Sequence, residues 1–243
     1  MLRYRNRHEC KFVVPESVAD RVRRIVAPFV RLDGHAQRSP DHSYPIASLY
    51  LDDAQHSLCR ETVEGQAQRF KLRVRAYSDD LNAPVFLEVK RRCVNVVQKL
   101  RSPVPRALLA DLLEGRRTTV PGASALQAEA IAEFLRLTTL RRAVPCAIVR
   151  YQREAWVGLD DDEVRVTFDR RLSAVPEHRP RVAVHDPRFV TVSSGGVVME
   201  LKFTDRCPSW MQQVIRSGEL RRTSFSKYAR SMQALVPDRA VAT

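Results

Sequence analysis

The chain has 243 residues, 44% hydrophobic and 28% charged, with 41 Lys and Arg against 28 Asp and Glu for a net charge of +13. That apolar share excludes a disordered polyelectrolyte, and the basic excess points to an anionic partner. Cys10, Cys59, Cys93, Cys146 and Cys207 are odd in number and scattered, with no Cys-x-x-Cys, which suggests neither a disulfide framework nor a zinc site and suits reduced thiols in the cytoplasm.

Segment 7–13 alternates charged and apolar residues with the period of a strand. A helix is expected over 15–30, where Val18, Val22, Ile25, Val26 and Phe29 share a face and Pro15 opens the first turn. Strands follow over 46–51, 69–77 and 85–92, then a helix over 105–114 stopped by Gly115. Ser124 and Gln127 have the spacing of a capping box that opens a helix over 125–137. Strands over 147–157, 163–172 and 197–203 precede helices over 209–217 and 226–235. One domain over 1–243 is expected, with a helical insert at about 104–138 and terminal helices at about 208–236. The charged start of the chain lacks the apolar core of a signal peptide, and the uncharged stretch 189–199 is too short to span a bilayer. A cytoplasmic location without a membrane segment of its own is therefore expected.

Parity within the strands carries the chemistry. Lys71, Arg73, Arg75 and Tyr77 share one face, opposed by Phe70, Leu72, Val74 and Ala76. A single such strand reads as an exposed edge. The pattern recurs in Arg7, Glu9 and Lys11, in Glu88 and Lys90, in Tyr151 and Arg153, in Arg165, Thr167 and Asp169, and in Glu200 and Lys202. The expected fold is α+β, an antiparallel β-barrel tunnel with a basic polar lumen and flanking helices over the outward apolar faces. Two cations about 6 Å apart repel by roughly 0.7 kcal/mol in water but about 3 kcal/mol at an effective dielectric of 20. Enclosing them therefore calls for interleaved carboxylates and a bound polyanion. Arg and Lys match phosphate oxygens, and a carboxylate among them suits Mg²⁺ or Mn²⁺. Glu200 is the first metal candidate, Glu9 and Glu88 the additional ones, with ion pairing to neighbouring cations as the alternative role. His8, His35, His42, His56, His178 and His185 have no triad or metal spacing and read as solvated or structural; Trp156 and Trp210 read as packing residues.

Arg7-x-Glu9-x-Lys11, Ser48-Leu49-Tyr50-Leu51-Asp52, Lys71-x-Arg73-x-Arg75-x-Tyr77, Leu87-Glu88-Val89-Lys90, Tyr151-x-Arg153, Arg165-x-Thr167-x-Asp169, Glu200-Leu201-Lys202 and Ser226-Lys227-Tyr228 occur in this order. Together they resemble the VTC polyphosphate polymerase domain, a branch of the triphosphate tunnel metalloenzymes. The resemblance implies transfer of the γ-phosphoryl group of ATP to a growing polyphosphate chain, with Mn²⁺ or Mg²⁺ and release of ADP. It implies that Lys11, Arg73, Arg75, Lys90, Arg153 and Arg165 grip the reacting phosphates and that Glu200 holds the metal. Arg7, Lys71, Lys99, Lys202, Ser226 and Lys227 would add phosphate contacts, and Tyr151 a hydroxyl. Hydrolytic members open with Glu-x-Glu-x-Lys; Arg7 stands here in place of the first Glu, which favours the polymerase branch. The alternatives are a non-catalytic module for polyphosphate or inositol-phosphate-type polyanions, and a tunnel triphosphatase or NTPase. Nucleic acid is disfavoured as a partner, because it calls for cations and aromatics on an outer face. Whether a membrane-protein partner takes the product is left open.

Overall fold

The computed structural model describes residues 7–93, 96–204, 206–217 and 220–236. Within them lie strands β1 (Arg7–Val14), β2 (Val30–Leu32), β3 (Tyr44–Asp52), β4 (Gln68–Ala76), β5 (Val85–Cys93), β6 (Val96–Val104), β7 (Val144–Gly158), β8 (Arg165–Pro176), β9 (Val190–Thr191) and β10 (Val197–Thr204). The helices are α1 (Glu16–Val26), α2 (Ser57–Val63), α3 (Leu109–Leu113), α4 (Ala125–Leu140), α5 (Ser209–Ser217) and α6 (Lys227–Leu235). All strands join one antiparallel sheet in the order β2-β7-β3-β4-β5-β6-β1-β10-β8-β9, and β7 also pairs with β8.

That extra ladder curls the sheet nearly round on itself. The expected closed barrel is nonetheless corrected to a curled sheet with an open seam. β1 follows β10 along its whole length, from Arg7↔Thr204 to Val14↔Val197, but on its other edge meets β6 at the single pair Arg7↔Val97. Among the described residues no further backbone pairing joins β1 to β6.

Alternation decides which face turns inward. On β4, Leu72, Val74 and Ala76 point outward and are fully buried in one core with Leu87 and Val89 of β5, Leu58 of α2, Leu112 of α3, and Ile131 and Phe134 of α4. On the other side Phe12, Val166, Phe168, Met199 and Leu201 lie under α1 and α5, against Val22, Val26, Met211 and Val214. Each side chain of this size contributes about 1.5–3 kcal/mol on burial. The helices thus cover the outward apolar faces as expected. Glu154 pins α1 to the sheet, accepting from Arg23 Nε at 2.7 Å, Arg170 Nη1 at 3.0 Å and Trp156 Nε1 at 2.8 Å.

Ser124 does cap α4, giving and taking a reciprocal pair of hydrogen bonds with Gln127. The first helix stops at Val26 rather than reaching residue 30, because Pro28 withdraws an N–H and the chain turns through 27–29 into β2. The terminal helix α6 sits against the inward face of the curl: Tyr228, Ala229 and Met232 pack with Ile46, Tyr50, Val149 and Tyr151. Tyr228 stacks on Tyr50 at 4.3 Å, and its hydroxyl donates to the fully buried Asp52 carboxylate at 2.7 Å. Asp52 also accepts the N–H groups of Leu58 and Cys59 at the start of α2, so one carboxylate fastens β3, α2 and α6. Among the described residues no helix is long and apolar enough to cross a membrane.

Candidate functional site

The concave side of the curl encloses a cavity of about 820 Å³. Twelve lysines and arginines line it against five aspartates and glutamates, an excess of positive charge that suits an anionic ligand. β4 contributes Lys71, Arg73 and Arg75, β5 Lys90, β6 Lys99 and Arg101, β1 Glu9 and Lys11, and β10 Glu200 and Lys202. β7 adds Tyr151 and Arg153, β8 Arg165, and the start of α6 brings Ser226 and Lys227. Each is there because alternate residues of a strand face one way, the α6 pair excepted.

The carboxylates divide the cations into three groups. Glu88, with no exposed surface, lies 2.7 Å from Arg73, 2.8 Å from Lys99, 3.5 Å from Arg101 and 3.9 Å from Arg75. Burial would push its carboxyl up, but Arg75, Arg73 and Lys99 hold it well below the usual carboxylate range. Glu9 lies 2.6 Å from Lys90 and 3.5 Å from Lys11, and these two cations hold it far down against the pull of burial. In the third group Arg153 grips Asp169 through two 2.7 Å hydrogen bonds, and Lys227 lies 2.6 Å from the same carboxylate. Glu200 beside them lies 2.5 Å from Lys202, 3.2 Å from Lys227, 3.6 Å from Arg153 and 3.8 Å from Lys11. Those cations outweigh burial and keep Glu200 ionised well below its ordinary value. Hydroxyls complete the lining: Tyr50 accepts from Arg73 at 3.2 Å, and Tyr151 accepts from Arg75 at 3.4 Å.

Lys71 stands apart. Its ammonium donates to Ser226 Oγ at 2.8 Å, and burial together with Lys11, Lys90 and Arg73 lowers it well below the ordinary lysine value. A bound polyanion favours the charged form, so affinity is full while Lys71 is protonated and falls as pH rises through its lowered titration. Calorimetric titration with inorganic tripolyphosphate from about pH 6 to about pH 10 is expected to show several-fold weaker binding at the alkaline end. Lys71→Met should shallow that slope, and an undiminished slope in the variant would remove Lys71 as its cause.

Beyond Lys71 the lumen continues into a second cavity of about 600 Å³, which shares Glu9, Lys11, Lys71, Lys90 and Ser226 with the first and is bounded by residues 222–225. That segment is held by Lys11, whose ammonium donates to the Phe225 carbonyl at 2.9 Å and whose own carbonyl accepts from Thr223 N–H.

Glu9 and Glu200 both approach the Lys11 ammonium and so face one part of the lumen. Two carboxylates completed by phosphate oxygens suit Mg²⁺ or Mn²⁺, so these residues fit a divalent ion carried in with its anion. Among the described residues no group of three or more His, Cys, Asp or Glu side chains converges as a metal cage. Glu88, the remaining metal candidate, has four cations around it and does not line the cavity. Arg7 begins β1 opposite Thr204, and its side chain lies outside the described residues. Burial pushes the Cys146 thiol up to about 12 and the Cys59 thiol up to about 11, so neither is a thiolate nucleophile. The site can position and neutralise phosphates.

The alternation missed Arg101, which the spacing Lys99-x-Arg101 could have revealed, and Tyr50, which shares a face with Ser48. It gave no sign that His35 and Tyr44 would line the cavity, because they arrive from a turn and a strand start.

A family model described as the VTC domain matches residues 6–236. No curated protein matches the chain. A crystal structure of a protein from Bacillus halodurans, described as a "putative adenylate cyclase", is similar over 95% of this chain and 99% of its own, at 10% identity and a TM-score of 0.49.

Proposed function

The chain belongs to the VTC domain family, and from that we propose that it is a polyphosphate polymerase, one domain acting in the cytoplasm. The observation that carries the reading is the convergence of twelve cations and two facing carboxylates, Glu9 and Glu200, on one enclosed cavity. Five cysteines, all unpaired thiols, support the reducing setting.

In this reading the terminal phosphate oxygen of a polyphosphate chain attacks the γ-phosphorus of ATP in line. The new P–O bond forms as the bond from the γ-phosphorus to the bridging oxygen breaks, and the electron pair leaves with ADP. Lys11, Arg73, Arg75, Lys90, Arg153 and Arg165 hold donor and acceptor phosphates in reach and stabilise the charge of the transferring group. Lys71, Lys99, Lys202, Ser226 and Lys227 orient the flanking phosphates, and Tyr151 donates a hydroxyl hydrogen bond. Glu200, with Glu9, would hold Mn²⁺ or Mg²⁺, which supplies further neutralisation of phosphate charge when bound.

Purified protein incubated with ATP and Mn²⁺ is expected to release ADP and to form acid-insoluble polyphosphate. Tight polyphosphate binding without either product would refute the polymerase and leave a polyanion-binding module. That second reading is favoured by the four cations already gathered about Glu200. Orthophosphate released from ATP or tripolyphosphate without chain growth would make the protein a hydrolase instead.

A further inference from the structure

His35, Tyr44 and Tyr77 come together at the wall of the main cavity, beside the Glu88 group through Arg101. His35 stacks on Tyr77 with ring centroids 4.9 Å apart and 10° between planes, and its ring lies 5.0 Å from that of Tyr44. We propose that this cluster is a stacking shelf for the purine base of a nucleoside triphosphate whose phosphates occupy the basic lumen. The inference rests on the proposed function and names the part of the same cavity that tells ATP from a bare phosphate chain.

The shelf is built, not incidental. Asp33 fastens the Tyr44 ring and the turn that carries His35: Oδ1 accepts from the backbone N–H groups of His35 at 3.1 Å and Ala36 at 2.8 Å, and Oδ2 accepts from the Tyr44 hydroxyl at 2.8 Å. Asp33 N–H in turn donates to the Ala155 carbonyl of β7, which ties the turn to the sheet. The third ring is held by Arg101, which donates to the Tyr77 hydroxyl at 3.1 Å, and by the edge of Phe86 at 5.7 Å. A preformed aromatic surface binds a planar base with little ordering cost.

Position and charge select the ligand. Tyr77 continues the inward line of Lys71, Arg73 and Arg75, two residues beyond Arg75, or about 7 Å along the strand, a span that a ribose bridges. His35 lines the cavity and keeps solvent exposure there, so a ligand in the cavity can reach it. Burial against its neighbours, with Arg38 and Arg101 nearby, lowers its titration in spite of Asp33. A neutral ring contributes stacking rather than anion attraction, which suits a base and not a phosphate.

The test is to measure calorimetric affinities for ATP and for inorganic tripolyphosphate at pH 7.5 in the full chain, in His35→Ala and in His35→Phe. His35→Ala is expected to weaken ATP about tenfold and leave tripolyphosphate unchanged, while His35→Phe keeps ATP within about twofold of the starting protein. Unchanged ATP affinity in His35→Ala, or equal weakening of both ligands, overturns the shelf alone. A starting protein that binds neither ligand overturns the proposed function and the shelf with it.

Discussion

Glu200→Gln is expected to lower metal-dependent ADP release by roughly 10²–10³-fold while metal-free tripolyphosphate binding stays as tight or tightens. Glu200 is nearly buried and kept ionised by Lys202, Lys227, Lys11 and Arg153. Two roles are compatible with that geometry, counter-ion and metal ligand. As a counter-ion alone, its loss raises the positive potential of the lumen, which strengthens anion binding and leaves turnover standing. As a metal ligand, its loss removes turnover while the neighbouring cations still hold phosphate. Steady-state ADP release with Mn²⁺, set beside calorimetric binding without metal, separates the two. Full activity in the variant would leave Glu200 as a counter-ion.

The second large effect is on folding. Glu88→Gln keeps the shape of the side chain but leaves Arg73, Arg75, Lys99 and Arg101 without their shared carboxylate in a fully buried place. Breaking a buried ion pair from one side costs about 3–5 kcal/mol. For a chain of this size that lowers Tm by about 6–20 °C. Because the carboxyl titrates far below its unfolded value, its stabilisation is present above about pH 4.3 and is lost as pH falls towards its folded value. The variant should therefore differ most from the starting protein near neutral pH and converge with it in acid. Tripolyphosphate should restore part of the lost Tm, since the anion takes over the charge that Glu88 supplied; saturation at 100 times Kd is worth about 2.7 kcal/mol. A Tm within 2 °C of the starting protein at pH 7 would refute the counter-ion role.

Strand parity made the inward faces legible. Lys71, Arg73 and Arg75 had to share a side once β4 was a strand, and the same holds for Glu9 with Lys11 and Glu200 with Lys202. Register was not legible. That Lys11 stands opposite Glu200, or that Arg153 grips Asp169, depends on which strands pair and at what offset, and no local pattern encodes it. β6 escaped notice because Pro103 reads as a strand breaker, yet beyond Val97 this strand has only β5 beside it, a place that tolerates proline. α2 escaped because its start is capped from Asp52, several residues upstream, rather than by a neighbouring Ser or Thr. The closed barrel failed as an expectation for a related reason: alternation tells which side chains face inward, not whether the last edge meets the first.

The pairing of β1 with β10 also sets the order in which this protein acquires its chemistry. Lys11 and Glu200 are direct partners although roughly 190 residues separate them in sequence. Contacts of such long range close late and slowly, since loop entropy must be overcome before they give anything back. During synthesis β1 would emerge first and wait as an unpaired edge until β10 follows, a state open to mispairing with other chains. A basic lumen that is assembled last is at least not asked to hold its cations together while the walls are still forming.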